Sequence, residues 1–140
     1  MKGKKPVKSV QLVDLLNQAL KLEYSIIIHL PRIVSSITDK KAKEMALLLV
    51  NTSMKHADIV ASTINTLGGT PEWAFEPAPV GTDMVEILKQ QLDRETLARQ
   101  LHRDSASLIQ DWKLRLKFDQ LAKDHDRHIQ MINNILERLR

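Results

Sequence analysis

The chain has 140 residues, 43% hydrophobic and 27% charged, the balance of one folded domain around a single core. Aromatics at 4% and four glycines argue against an all-β fold, and the lack of cysteine excludes disulfides, thiolate sites and iron–sulfur clusters. The net charge of +4 resides in Lys2, Lys4, Lys5 and Lys8, since the remaining 17 basic residues equal the 17 acidic ones.

Residues 1–9 read as a basic, flexible tail, with an arm that touches nucleic-acid phosphates as the alternative. No stretch approaches the ~20 apolar residues of a membrane span, and no apolar run follows the basic start as in a secretory signal. Cysteine-free composition fits a reducing cytoplasm.

A first helix is expected over 10–37, with the seam Leu12, Leu16, Ala19, Glu23, Ile26 and Leu30. Pro31 should kink or end it. Ile26, Ile27, Ile28 and Leu30 cannot all face one core, so an outward isoleucine pair points to a homodimer. A second helix is expected over 39–67, capped by Thr38-Asp39, with the seam Ala42, Met45, Leu49, Thr52, His56, Ile59 and Thr63. Gly68-Gly69 and Pro71 stop it.

Residues 68–82, with three prolines, form a linker that reaches ~50 Å. A 28-residue helix is ~42 Å long. The linker can therefore cross the whole bundle as a packed strap carrying Trp73 and Phe75, leaving helices two and three parallel. A third helix is expected over 83–109, with Glu86 as capping-box partner and the seam Val85, Leu88, Leu92, Glu95, Arg99, His102, Ala106 and Ile109. A fourth follows over 111–139, with the seam Leu114, Phe118, Leu121, His125, His128, Ile132, Ile135 and Leu139.

Ionisable residues interrupt each seam near its middle: Glu23, His56, Glu95, His125 and His128, with His102 as a further option on helix three. At about 1.5 Å per residue the first five lie within roughly 10 Å of one level. Buried charges need mutual hydrogen bonds or a metal. Imidazole nitrogen with carboxylate oxygen suits Fe, Zn or Mn. Arg99 and His102 are assigned to the solvent edge of helix three. Thr52, Ser53 and Thr63 read as packing and back-bonding residues, and Met45, Met54, Met84 and Met131 as core filler. No nucleophile elbow or phosphate-binding glycine loop is present.

The pattern resembles the ferritin-like superfamily, the group of bacterioferritins and rubrerythrins. The resemblance rests on Leu15-Leu16-Asn17-Gln18-Ala19-Leu20 leading to Glu23-Tyr24, on Lys55-His56-Ala57 and Leu67-Gly68-Gly69-Thr70-Pro71, and on the run from Leu121-Ala122 through His128. It covers residues 10–140 and implies an all-α four-helix bundle with a long crossover between helices two and three. It also implies a di-iron centre, with one Glu from each of helices one and three and Glu-x-x-His from each of the other two. Glu23, His56 and His128 match that pattern, but Ser53 and His125 stand where two of its glutamates belong. The third-helix Glu maps to Glu95, with Gln91 as a one-turn alternative. Two missing carboxylates imply a remodelled, mononuclear site drawn from Glu23, His56, His128, His125 and Glu95. The alternatives are a metal-free scaffold acting through dimerisation or a partner, and a nucleic-acid-associated relative using the lysine tail.

Overall fold

The computed structural model describes residues 7–78 and 83–139, the first two of them by backbone alone. The lysine-tail expectation therefore falls outside the described side chains. Four α-helices make up the described fold: α1 (Val7–Val34), α2 (Lys40–Thr66), α3 (Met84–Leu108) and α4 (Trp112–Arg138). None is long and apolar enough to cross a membrane.

Aspartate caps begin three of them. Asp39, Asp83 and Asp111 accept bonds from the backbone N–H groups of Ala42, Val85 and Lys113, satisfying donors that a helix start leaves open. Pro31 lies inside α1, which runs one residue triplet beyond it to Val34 and so ends before the expected Ile37.

Two apolar clusters fix the topology. Leu12, Leu16, Ile64, Ile109 and Phe118 fill the lower end; Ile33, Ala42, Leu88 and Ile135 fill the upper. α2 and α3 both start in the upper cluster and finish in the lower, so they run parallel. α1 packs on α2 and α3, and α4 on α3 and α2, leaving α2 and α3 across the bundle diagonal. The strap climbs α1 to make this possible. Asn17 donates to the Thr70 carbonyl (3.2 Å) and accepts from the Glu72 amide (2.9 Å); Ser25 accepts from the Glu76 amide (2.8 Å); His29 Nε2 donates to the Glu76 carbonyl (2.6 Å). Trp73 and Phe75 meet Tyr24 edge-on at 5.4 and 5.8 Å while keeping about half their surface in solvent.

The seams of α1 and α4 are as expected from the sequence, but those of α2 and α3 are rotated. In α2 the buried stripe runs through Ala46, Leu49, Ser53, His56, Ala57, Val60 and Ile64, leaving Met45, Thr52 and Ile59 at its edge. In α3 it runs through Leu88, Gln91, Glu95, Ala98 and His102, with Leu92 and Arg99 at the edge. Small side chains let helices approach closely, so Ala and Ser take the interior and bulkier groups the rim. Ile27 packs against the lower core, so the expected outward isoleucine pair reduces to a half-buried Ile28. Met54 is exposed, unlike the other three methionines read as core filler, which pack against the upper core.

Candidate metal centre

Between the two apolar clusters lies a polar layer. Glu23 projects from α1 between Ala19 and Ile26, and His56 from α2 beside Ser53. Glu95 and His102 project from α3, seven residues apart, and His125 and His128 from α4. Their helical periodicity aims them all at the axis. All six are buried, with His128 the most exposed at 3%.

Glu23 Oε2 is the hub. It accepts from His56 Nδ1 at 2.8 Å, His125 Nε2 at 3.0 Å and His102 Nε2 at 3.3 Å. His125 Nδ1 donates to Glu95 Oε2, and His128 Nδ1 lies 3.3 Å from Glu95 Oε1. The outer nitrogen of His56, Nε2, donates to Asp124 Oδ2 at 2.9 Å. Asp124 is also bonded by Gln120 and Arg127.

These contacts set the charges. Burial opposes ionisation of Glu23, yet the His125 charge and the bonds from His102, His125 and His56 hold it well below the usual carboxylate range. Glu95 is lowered against its burial by the charge and bond of His125. His125 is raised to about 10, because Glu23 and Glu95 outweigh its desolvation. His56 is raised against its burial by Glu23. His102 is lowered, as burial outweighs Glu23. Glu23 and Glu95 thus face a protonated His125 and a His56 whose charged form Glu23 and Asp124 favour, so the buried charges oppose one another.

The hydrogen bonds do not satisfy every donor atom. Glu23 Oε1, Glu95 Oε1, His102 Nδ1, His128 Nδ1 and Ser53 Oγ are buried with no hydrogen-bond partner among the described residues. Such orphans are rare in a packed core. Two sets bring possible ligand atoms within 4.8 Å of one another: Glu23, His56, His102 and His125, and separately Glu95, His125 and His128. Borderline imidazole nitrogen with carboxylate oxygen fits a divalent transition ion.

All five sequence-derived candidates lie in this layer. Glu23, His56 and His125 come together directly; Glu95 and His128 join through His125. Glu95, not Gln91, contacts the histidines, although Gln91 is also buried. His102 lies on the expected seam but was assigned to the solvent edge; it is wholly buried, while Arg99 alone turns to the rim and pairs with Asp126 at 2.8 Å. The heptad step from Glu95 to His102 was the signal. Asp124, next to His125 in sequence, reaches the layer through its bond to His56. Thr52 and Thr63 back-bond to Leu48 and Ile59 as expected, whereas Ser53 does not.

The model of the ferritin-like domain family matches residues 11–140. Among solved structures, the chain is similar to a ferritin-like, diiron-carboxylate protein from Bacillus anthracis (TM-score 0.85, 21% identity, 94% of this chain and 99% of that one). It is similar to the dodecameric thioferritin, a bacterioferritin-related protein, of Bacteroides fragilis (0.81, 18%, 94% and 87%). It is also similar to the bacterioferritin of Rhodobacter capsulatus, solved with a metal-free dinuclear site and haem iron (0.73, 24%, 96% and 85%). Among curated proteins, none matches.

Proposed function

From the premise that the chain belongs to the ferritin-like domain family, we propose that it is a metal-binding domain with a remodelled, mononuclear Glu/His centre. One observation carries this reading: at the level where four helices converge, Glu23 Oε1 and His102 Nδ1 are buried without a hydrogen-bond partner among the described residues, and Glu95 Oε1 and His128 Nδ1 have only each other at 3.3 Å. Glu23, His56, His125, Glu95 and His128 are the residues that would hold the ion. A bound Fe, Zn or Mn ion would supply Lewis acidity, or one-electron chemistry in the case of iron and manganese.

The chain's own groups prepare the site. Asp124 holds the outer nitrogen of His56 and Glu95 the outer nitrogen of His125, fixing both rings. The apolar clusters above and below exclude water and strengthen each electrostatic contact. Serine at position 53 and histidine at 125 leave two carboxylates, half the family's usual four. They balance one divalent ion.

The Bacteroides fragilis relative is a dodecamer, and α2 carries exposed Leu47, Leu48 and Met54. Both support self-association here, with a homodimer as its simplest form. The cysteine-free composition supports a cytoplasmic setting. The test is elemental analysis of protein purified without a metal-binding tag. At most one transition ion per chain is expected, lost in Glu23→Gln. Two iron atoms per chain with rapid oxygen-dependent oxidation, or no uptake of any ion, would overturn the reading.

A further inference from the structure

His102 is hard to explain as packing. It is completely buried, its Nδ1 has no hydrogen-bond partner among the described residues, and the polar contact made by Nε2 is to Glu23 at 3.3 Å. A buried imidazole so poorly bonded costs stability, and Leu or Phe beside Phe118 would suit the site better. Something at Glu23 must reward a nitrogen there.

The spacing of the inner atoms identifies it. Glu23 Oε2 lies 2.8 Å from His56 Nδ1, 3.0 Å from His125 Nε2 and 3.3 Å from His102 Nε2; His56 Nδ1 and His125 Nε2 lie 3.2 Å apart. Zinc–nitrogen and zinc–oxygen bonds of about 2.0–2.1 Å place tetrahedral ligands about 3.3 Å from one another. Four of the six separations among these atoms are thus near that edge length, and the possible ligand atoms of the four residues all lie within 4.8 Å of one another. The outer nitrogens of His56 and His125 are held by Asp124 and Glu95, so both rings present their inner nitrogens to the same point.

We propose that His102 is a direct metal ligand, completing with Glu23, His56 and His125 a closed four-coordinate site of three nitrogens and one oxygen for a single divalent ion. The proposal rests on the metal-binding reading above and refines it. One donor comes from each of the four helices, so the ion braces the bundle as structural sites do. Glu95 then orients His125 instead of supplying a ligand. The donor set selects zinc and cobalt(II) over magnesium and calcium, which demand oxygen.

Cobalt(II) and zinc are the probes, on the full-length protein stripped with chelator. Four-coordinate cobalt gives intense visible bands, which wild type and the strap variant His29→Asn should both show. His102→Asn should weaken zinc binding at least about 100-fold, beyond the usual effect of an orienting residue, and lose those bands. Added imidazole should restore them. X-ray absorption of the zinc-loaded wild type, which needs no variant to fold, should count three imidazole scatterers. Two scatterers, or a His102→Asn protein with wild-type bands and affinity, would overturn the proposal. The metal-binding reading would still stand if Glu23→Gln abolished uptake. Wild type that binds neither ion would sink both.

Discussion

Glu23→Gln in the metal-stripped protein tests the polar layer most directly. The change is isosteric, so it opens no cavity. It removes the negative charge that faces His56 and His125, and it puts an amide N–H₂ where three imidazole nitrogens now meet a carboxylate. Removing one member of a buried ion pair costs about 3–5 kcal/mol. Here Glu95 still pairs with His125, and either ring can shed its proton, so the lower end applies. About 3 kcal/mol at this chain length lowers Tm by roughly 10 °C. Urea unfolding followed by circular dichroism should show a lower midpoint with unchanged slope. Zinc at about 1,000 times its Kd should add about 4 kcal/mol to wild type and nothing to the variant. A stability loss under about 1 kcal/mol without metal would refute the claim that Glu23 is the electrostatic hub.

Other outcomes follow from local geometry. Without metal, His125 has its pKa raised to about 10, so its contribution is complete below about pH 6.5 and fades as pH rises toward about 10. Glu23 and Glu95 are depressed, so theirs is present at neutral pH and lost on acidification; a urea midpoint that stays flat through the alkaline window would contradict the first assignment. Gly69→Ala would bring a Cβ to 2.8 Å from Val13 Cγ1 at the foot of the strap, costing about 1–3 kcal/mol by overpacking; an unchanged Tm would show that Val13 yields freely. Asn17→Ala removes two strap bonds and should cost about 1 kcal/mol, with faster amide exchange at Glu72 and no change at the buried centre.

The sequence was most legible where large apolar residues mark the inward face. Phe118, Ile132 and Ile135 define α4, and Leu12, Leu16, Ile26 and Leu30 define α1. It was less legible in α2 and α3, whose interiors mix Leu49, Ile64 and Leu88 with Ala46, Ala57, Ala61 and Ala98. There, Met45, Ile59 and Leu92 outrank alanine in hydrophobicity yet sit at the rim, because close helix approach selects for small volume. His102 lies on both the expected and the observed stripe of α3, but it shares a polar stretch with Arg99. Arg99 and His102, about 60° apart around the helix, straddle the edge of the buried stripe, so His102 enters the layer while Arg99 stays at the rim. The strap was readable from its prolines and its reach, but its anchors Asn17, Ser25 and His29 carry no sequence pattern that names the backbone groups they bond.

Charge conservation connects the altered ligand pattern to what the centre can hold. Four carboxylates, as in the family's dinuclear sites, bring four negative charges to the core; Glu23 and Glu95 bring two. Without metal, His125 is protonated at neutral pH and His56, bonded through both ring nitrogens to carboxylates, is raised as well. Asp124, partly exposed and paired with Arg127, stays outside this balance, so the buried groups sum to about neutral. A divalent ion entering must displace protons from these rings, since a ligating nitrogen needs its lone pair. One ion in and two protons out keeps the buried charge at zero; a second ion would leave two positive charges unpaired at low dielectric, at a cost of several kcal/mol each. Zinc binding should therefore release close to two protons per chain near neutral pH. Calorimetry in buffers of different ionisation enthalpy measures that number, and the affinity should steepen with pH accordingly. Release of no protons would mean that His56 and His125 are neutral in the metal-stripped protein, and the charge argument for a single ion would fall with them.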